Sequence, residues 1–200
     1  MELADPMKTA TYSRLCTIAI LWLTGVTPAQ TQPREISLGL VPAKTSVNFT
    51  LGDVLHTVHG SFNLKSGIVH FDPATSRISG EILVDAASGH SGSEGRDKKM
   101  HSEVLESARY PDIGFRPDRV DGRVATIGAS VVQVHGMFFI HGAEHEITIP
   151  VRLEMSPDHW TATSNFAVPY VKWGMKNPST FVLRVDQSVD IDIQASGETP

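Results

Sequence analysis

The stretch FFIHGAEHEITIPVRLEM, residues 138–155, decides the fold. Ile147, Ile149, Val151, Leu153 and Met155 fall on every second position, with Thr148, Arg152 and Glu154 between them. Period two turns one face of a strand to a core and the other to water. An apolar run precedes it and ends at Phe138-Phe139-Ile140; His141-Gly142 then reads as the turn of a hairpin. His141 and His145 would chelate a metal at i,i+4 spacing on a helix, but that geometry does not hold on a hairpin. The plain expectation for these histidines, and for His56 and His59, is turn and surface positions.

The same alternation extends in both directions. Upstream, Val47, Phe49 and Leu51 alternate with Asn48 and Thr50, and Ile78, Ile82 and Val84 share a parity. Downstream, Trp160, Ala162, Ser164, Phe166 and Val168 form one set, Phe181, Leu183 and Val185 a second, and Val189, Ile191 and Ile193 a third. Turn chemistry separates the runs at Asp72-Pro73, Asp121-Gly122 and Ser156-Pro157-Asp158. Short strands spaced by turns indicate an all-β antiparallel sandwich or barrel. About eight strands are expected, enough to close a small barrel whose interior holds side chains or one ligand. One segment breaks period two. In GRDKKMHSEVLES, residues 95–107, Met100, Val104 and Leu105 stand at helical spacing, so one helix of about ten residues is expected to dock by that stripe.

The first 29 residues read as a secretory signal rather than as fold. Lys8 and Arg14 precede the apolar run LCTIAILWLTGV, residues 15–26, and Thr27-Pro28-Ala29 supplies small residues for cleavage after Ala29. Twelve residues span about 18 Å as a helix, short of a bilayer core of about 30 Å, so no stable membrane span is expected after cleavage; an uncleaved anchor is the alternative. Residues 30–35 are then a leader, and 36–200 one barrel domain in the periplasm or outside the cell. The chain of 200 residues carries 17 basic and 22 acidic side chains, an acidic balance that disfavours nucleic acid as a partner. Cys16 is the one cysteine, so neither an intrachain disulfide nor a cysteine-based metal site is available.

Candidate chemistry is sparse. Gly89-His90-Ser91-Gly92-Ser93 lacks the second glycine of a nucleophile elbow. There is no HExxH and no calcium-loop motif, and no metal, cofactor or catalytic set is expected. Arg96 and His101, near Asp97, suit an anionic headgroup; alternatively Arg96 and Asp97 pin the start of the helix. YVKWGMKNPSTF, residues 170–181, mixes aromatic and basic side chains and is expected either to rim a pocket or to plug one barrel end.

Taken in order, KTSVNFTLGDVLHTVHGSF, SGIVHFDP, RDKKMHSEVLESARYPDIGF, VHGMFFIHGAEHEITIPV and FAVPYVKWGMKNPSTFVLRVDQSVDIDI resemble the YceI-like, polyisoprenoid-binding proteins of the bacterial periplasm. The resemblance covers roughly residues 37–193. Where many members carry Asp-x-x-His-Ser, this chain has Val41-Pro42-Ala43-Lys44-Thr45-Ser46. The resemblance implies a lipocalin-like eight-stranded barrel with an apolar lumen, an amphiphilic lipid such as a polyisoprenoid or fatty-acid derivative as ligand, and no catalytic residues. Dimers occur in the family, which leaves a homodimer open.

Parity then selects the ligand-facing set. It comprises Val47, Phe49, Leu51, Phe62 and Phe71 from the early strands, and Phe115, Phe138 and Ile140 from the middle. Met100, Val104 and Leu105 come from the helix, with Arg96 and His101 as its polar members, and Trp173, Met175 and Phe181 from the late segment. A slip of one residue exchanges inside for outside. The alternatives to a carrier are an enzyme acting on such a lipid through Arg96, Asp97 and His101, and a filled structural barrel.

Overall fold

Alternation in the sequence becomes alternation in burial. In β6 (Gly128–Ile140), Val132, Val134, Gly136, Phe138 and Ile140 are buried, and the residues between them are more exposed. The computed structural model describes residues 35–52, 57–73, 75–179 and 184–199. The expected signal segment, residues 1–29, and His56, Phe181 and Leu183 lie outside the described residues.

Besides β6, the strands are β1 (Ile36–Leu40), β2 (Thr45–Gly52), β3 (Thr57–Asp72), β4 (Arg77–His90), β5 (Asp112–Asp121), β7 (Ala143–Met155), β8 (His159–Val168) and β9 (Val189–Glu198). All pair antiparallel. The ring runs β3-β2-β9-β8-β7-β6-β5-β4, and β4 closes it by pairing again with β3. β1 and β2 share one wall position: β1 pairs with the far half of β3 (Ile36 opposite Phe71) and β2 with the near half (Val47 opposite Phe62). The 3₁₀ turn Pro42–Lys44 breaks them apart. The nine strands therefore form an eight-stranded closed barrel, the all-β class read from the sequence.

The turn chemistry acts as expected at the β6–β7 hairpin. His141 and Gly142 both have positive φ, 54° and 75°, the two-residue turn whose twist matches the strands it joins. Pro117 sits where β5 shifts register against β6, between Pro117 and Arg119, a bulge that tolerates a residue without an N–H.

The helical segment differs from the single helix expected. A short α1 (Glu94–Lys99) runs directly into a π-helical turn, Met100–Val104. There the Leu105 amide donates to the Met100 carbonyl at 2.9 Å, one residue beyond the α spacing. The extra residue lets Met100, Val104 and Leu105 all turn to the barrel interior. Glu106, with φ 45°, then ends the segment.

One barrel end is sealed by its own side chains. Trp160, 1% exposed, packs with Leu153, Met155 and Ala195, and Leu38, Leu40 and Val124 close over them. The other end lies beneath α1, the π turn and the segment after Val168. Removing the plug at the sealed end, Trp160→Ala, is expected to cost about 3–5 kcal/mol, read as a lower urea midpoint with an unchanged m-value.

Candidate functional site

The inward faces of the strands do not meet at the axis. Beneath α1 they leave a cavity of about 450 Å³, within the range of roughly 300–1,000 Å³ common for ligand pockets. Two glycines help to keep it open. A Cβ on Gly60 would fall 2.3 Å from the Phe49 ring, and one on Gly89 would fall 2.5 Å from Phe62 and 2.8 Å from Met100. With hydrogen at those positions, Phe49 and Phe62 lie along the wall, 5.3 Å apart, rather than across the bore.

Most of the residues selected by parity line this cavity. Val47, Phe49, Leu51 and Phe62 supply one wall; Phe115, Phe138 and Ile140 another; Met100, Val104, Leu105 and Met175 the roof. Arg96 stands at the mouth with Ser91 and Lys99. Phe71 also faces inward, but into a second space of about 150 Å³ toward the sealed end. The selection missed Ile82 and Val84 on β4, Ile149 on β7, Phe166 and Val168 on β8, and Ile191 and Ile193 on β9, all of them lining residues. Their signal was the same parity, already visible in the sequence. Tyr170 and Val58 carried no such signal.

Two selected residues take other positions. Trp173 stacks on His145, ring centroids 4.2 Å apart and planes within 3°, and meets Phe138 at 5.6 Å. It is a plug at the rim, one of the two roles open to its segment. His145 is opposite Phe138 in the ladder and so points inward, not to the surface as expected; burial holds its ring below the ordinary histidine range. His101 is a brace: its Nε2–H donates to the Gly89 carbonyl at 2.9 Å, and Nδ1 accepts from the buried Ser107 hydroxyl at 3.1 Å. It ties the π turn to β4.

The polar mouth is built on Ser91. Arg96 donates to the Ser91 hydroxyl at 2.7 Å and to its carbonyl at 2.8 Å. The Ser91 hydroxyl in turn donates to Asp97, which also accepts the Ser91 amide at 2.9 Å and meets His90 Nδ1 at 3.0 Å. Arg96 thus faces the cavity mouth, and Asp97 pins the helix start, each through Ser91 and not through a direct pair. His90 meets the carboxylate and not the serine, so Ser91 has the acid as its neighbour rather than a base, unlike a hydrolytic triad. Lys99 donates to the Pro178 carbonyl at 3.2 Å and Lys176 to Glu103, fastening the late segment over the roof. The Tyr170 hydroxyl donates to the Asp186 carbonyl at 2.7 Å, and burial, followed by the charge of Asp186, pushes its pKa up to about 12. It stays a neutral donor at any physiological pH.

Fold and site together define a class: a closed antiparallel barrel with an apolar chamber under a polar rim, the form of a small-ligand-binding barrel. Within that class the chain belongs to the YceI-like domain family, matched over residues 39–196. Among solved structures it is similar to BcnA of Burkholderia cenocepacia, at 17% identity and TM-score 0.65, covering 79% of this chain and 99% of that one. It is also similar to a polyisoprenoid binding domain from Saccharophagus degradans implicated in plant cell wall breakdown, at 14% identity and TM-score 0.61, covering 81% and 98%. A Campylobacter jejuni YceI protein aligns at 14% identity and TM-score 0.57, over 68% and 83%. No curated protein matches the chain.

The mouth has an acid-sensitive joint. Burial alone would raise the Asp97 pKa, but the Ser91 hydroxyl, the Ser91 amide and His90 outweigh it and hold the carboxyl below its ordinary value. The stability this contributes is present above the ordinary carboxylate range and is lost as pH falls through the lowered pKa. Asp97→Asn is therefore expected to lower the melting temperature at pH 7 and to differ less from the unaltered protein at pH 3. A difference independent of pH would contradict the assignment.

Proposed function

We propose that this protein sequesters or carries an amphiphilic lipid, a polyisoprenoid or fatty-acid derivative, in the periplasm or outside the cell. The chain lies in the bore against Val47, Phe49, Phe62, Phe115, Phe138 and Met175, and the head rests at the mouth beside Ser91, Arg96 and Lys99. The observation that carries this reading is the 450 Å³ cavity walled by aliphatic and aromatic side chains, with its charged lining groups, Arg96 and Lys99, at the rim. The polyisoprenoid binding domain among the similar structures supports the same ligand class.

The magnitudes support it as well. Burying a methylene is worth roughly 0.8 kcal/mol, so a chain of about fifteen carbons gains on the order of 12 kcal/mol. Association and ordering remove roughly 4–15 kcal/mol. Apolar burial thus supplies most of the affinity, and the rim needs only to orient the head. Export agrees with the apolar run at residues 15–26. An enzyme working through Arg96, Asp97 and His101 has less support, because Asp97 and His101 hold the α1 and π segment together. A filled structural barrel is disfavoured by the open volume.

Organic extraction of the protein purified from its native host, followed by mass spectrometry, is expected to release a long-chain lipid. Absence of any lipid, together with no binding of fatty or isoprenoid chains in titration, would overturn the proposal. Arg96 also makes a selective prediction. Arg96→Ala is expected to weaken dodecanoate binding about 10- to 100-fold, the loss of one hydrogen bond to a charged group. Dodecanol binding is expected to be nearly unchanged. Equal losses for acid and alcohol would remove Arg96 from the head site.

A further inference from the structure

Two spaces lie along the bore. The 450 Å³ space beneath α1 and the 150 Å³ space toward Trp160 share four lining residues: Ile82, Phe115, Ile149 and Ile193. These form a waist. Phe115 on β5 and Ile193 on β9 come from strands four places apart in the eight-strand ring, directly across the barrel. Ile82 is the cross-strand partner of Phe115, and Ile149 projects from β7. Phe115 is the one aromatic member, and its ring lies beside Gly136, where a Cβ would come within 2.9 Å.

We infer that Phe115 is a chain-length gauge: its ring closes the upper chamber to a bound chain and keeps the lower chamber in reserve. This rests on the proposed reading of the bore as a lipid site and deepens it. At about 30 Å³ for a group the size of a water molecule or a methylene, the upper chamber takes on the order of fifteen chain carbons and the lower about five. A straight chain of up to about fifteen carbons is therefore buried completely. A longer one meets the Phe115 ring and leaves its excess at the mouth. The wall below the ring is apolar, through Phe71, Val132, Val134 and Leu153, so a chain that passed the waist would find the same environment.

The test uses saturated fatty acids of ten to twenty-two carbons, each below its micelle concentration, displacing a fluorescent fatty acid from the full protein. Affinity is expected to tighten up to about fourfold per added carbon until about fifteen, then to level off. In Phe115→Ala the levelling point is expected to move about five carbons longer. Phe115→Leu, a milder change that keeps the core filled if the alanine variant does not fold, should move it the same way by less. Ala162→Phe, which fills the lower chamber, should leave the unaltered waist's profile as it was and cancel the extension in the double variant with Phe115→Ala.

A levelling point that stays fixed in both waist variants while chains still bind would overturn the gauge and leave the lipid reading standing. A loss of long-chain affinity in Ala162→Phe alone would also overturn it, by showing that chains already reach the lower chamber. Failure of every chain length to bind would overturn both.

Discussion

An eight-strand ring forces every second side chain toward a shared axis, and whether those side chains meet there governs the rest of this molecule. At the Trp160 end they pack more closely: one indole and its neighbours leave only about 150 Å³. Under α1 they do not, because Gly60 and Gly89 let the Phe49 and Phe62 rings and Met100 lie along the wall. The difference lies in a few side-chain volumes on the same backbone plan. Packing at one end holds the barrel closed, and the deficit of packing at the other leaves room for a guest.

The lid over the open end is built from short-range polar joints on an apolar underside. Ser91 and Asp97 fix the helix start, His101 fixes the π turn to β4, and Lys99 and Lys176 fix the late segment to it. None of these bonds is deep in the barrel. Water therefore reaches the polar face of the lid, while the face toward the bore, through Met100, Leu105 and Met175, stays apolar. This two-sidedness matches an amphiphile: a chain excluded from water and a head left in contact with it.

Much of this was legible in the sequence because period two is a local signal. Ile147 through Met155 showed which side of β7 faces in, and the same rule gave Val47, Phe49, Phe138 and Ile140 their places. It also gave Phe166, Val168, Ile191 and Ile193, which the same parity marks although they were not chosen as ligand-facing. What was not legible depends on longer-range geometry. That Phe115 and Ile193 line both spaces of the bore follows from strands opposite each other in the ring. The π turn depends on hydrogen bonds in register i to i−5, such as that from the Leu105 amide to the Met100 carbonyl. His145 looked like a surface histidine because its neighbours Glu144 and Glu146 are polar, yet its pairing with Phe138 turns it inward under Trp173. His101 looked like a ligand for a head group because of its charged neighbours; its two ring nitrogens are instead engaged by Gly89 and Ser107.

The central claim is that the bore beneath α1 is a dry, apolar void able to accept a guest. Diffraction from a delipidated crystal under xenon pressure tests it most directly, since dry apolar cavities take up xenon. The account predicts xenon peaks between Phe49, Phe138 and Ile149. A column of ordered water there, or side chains collapsed across the axis with no xenon, would contradict it.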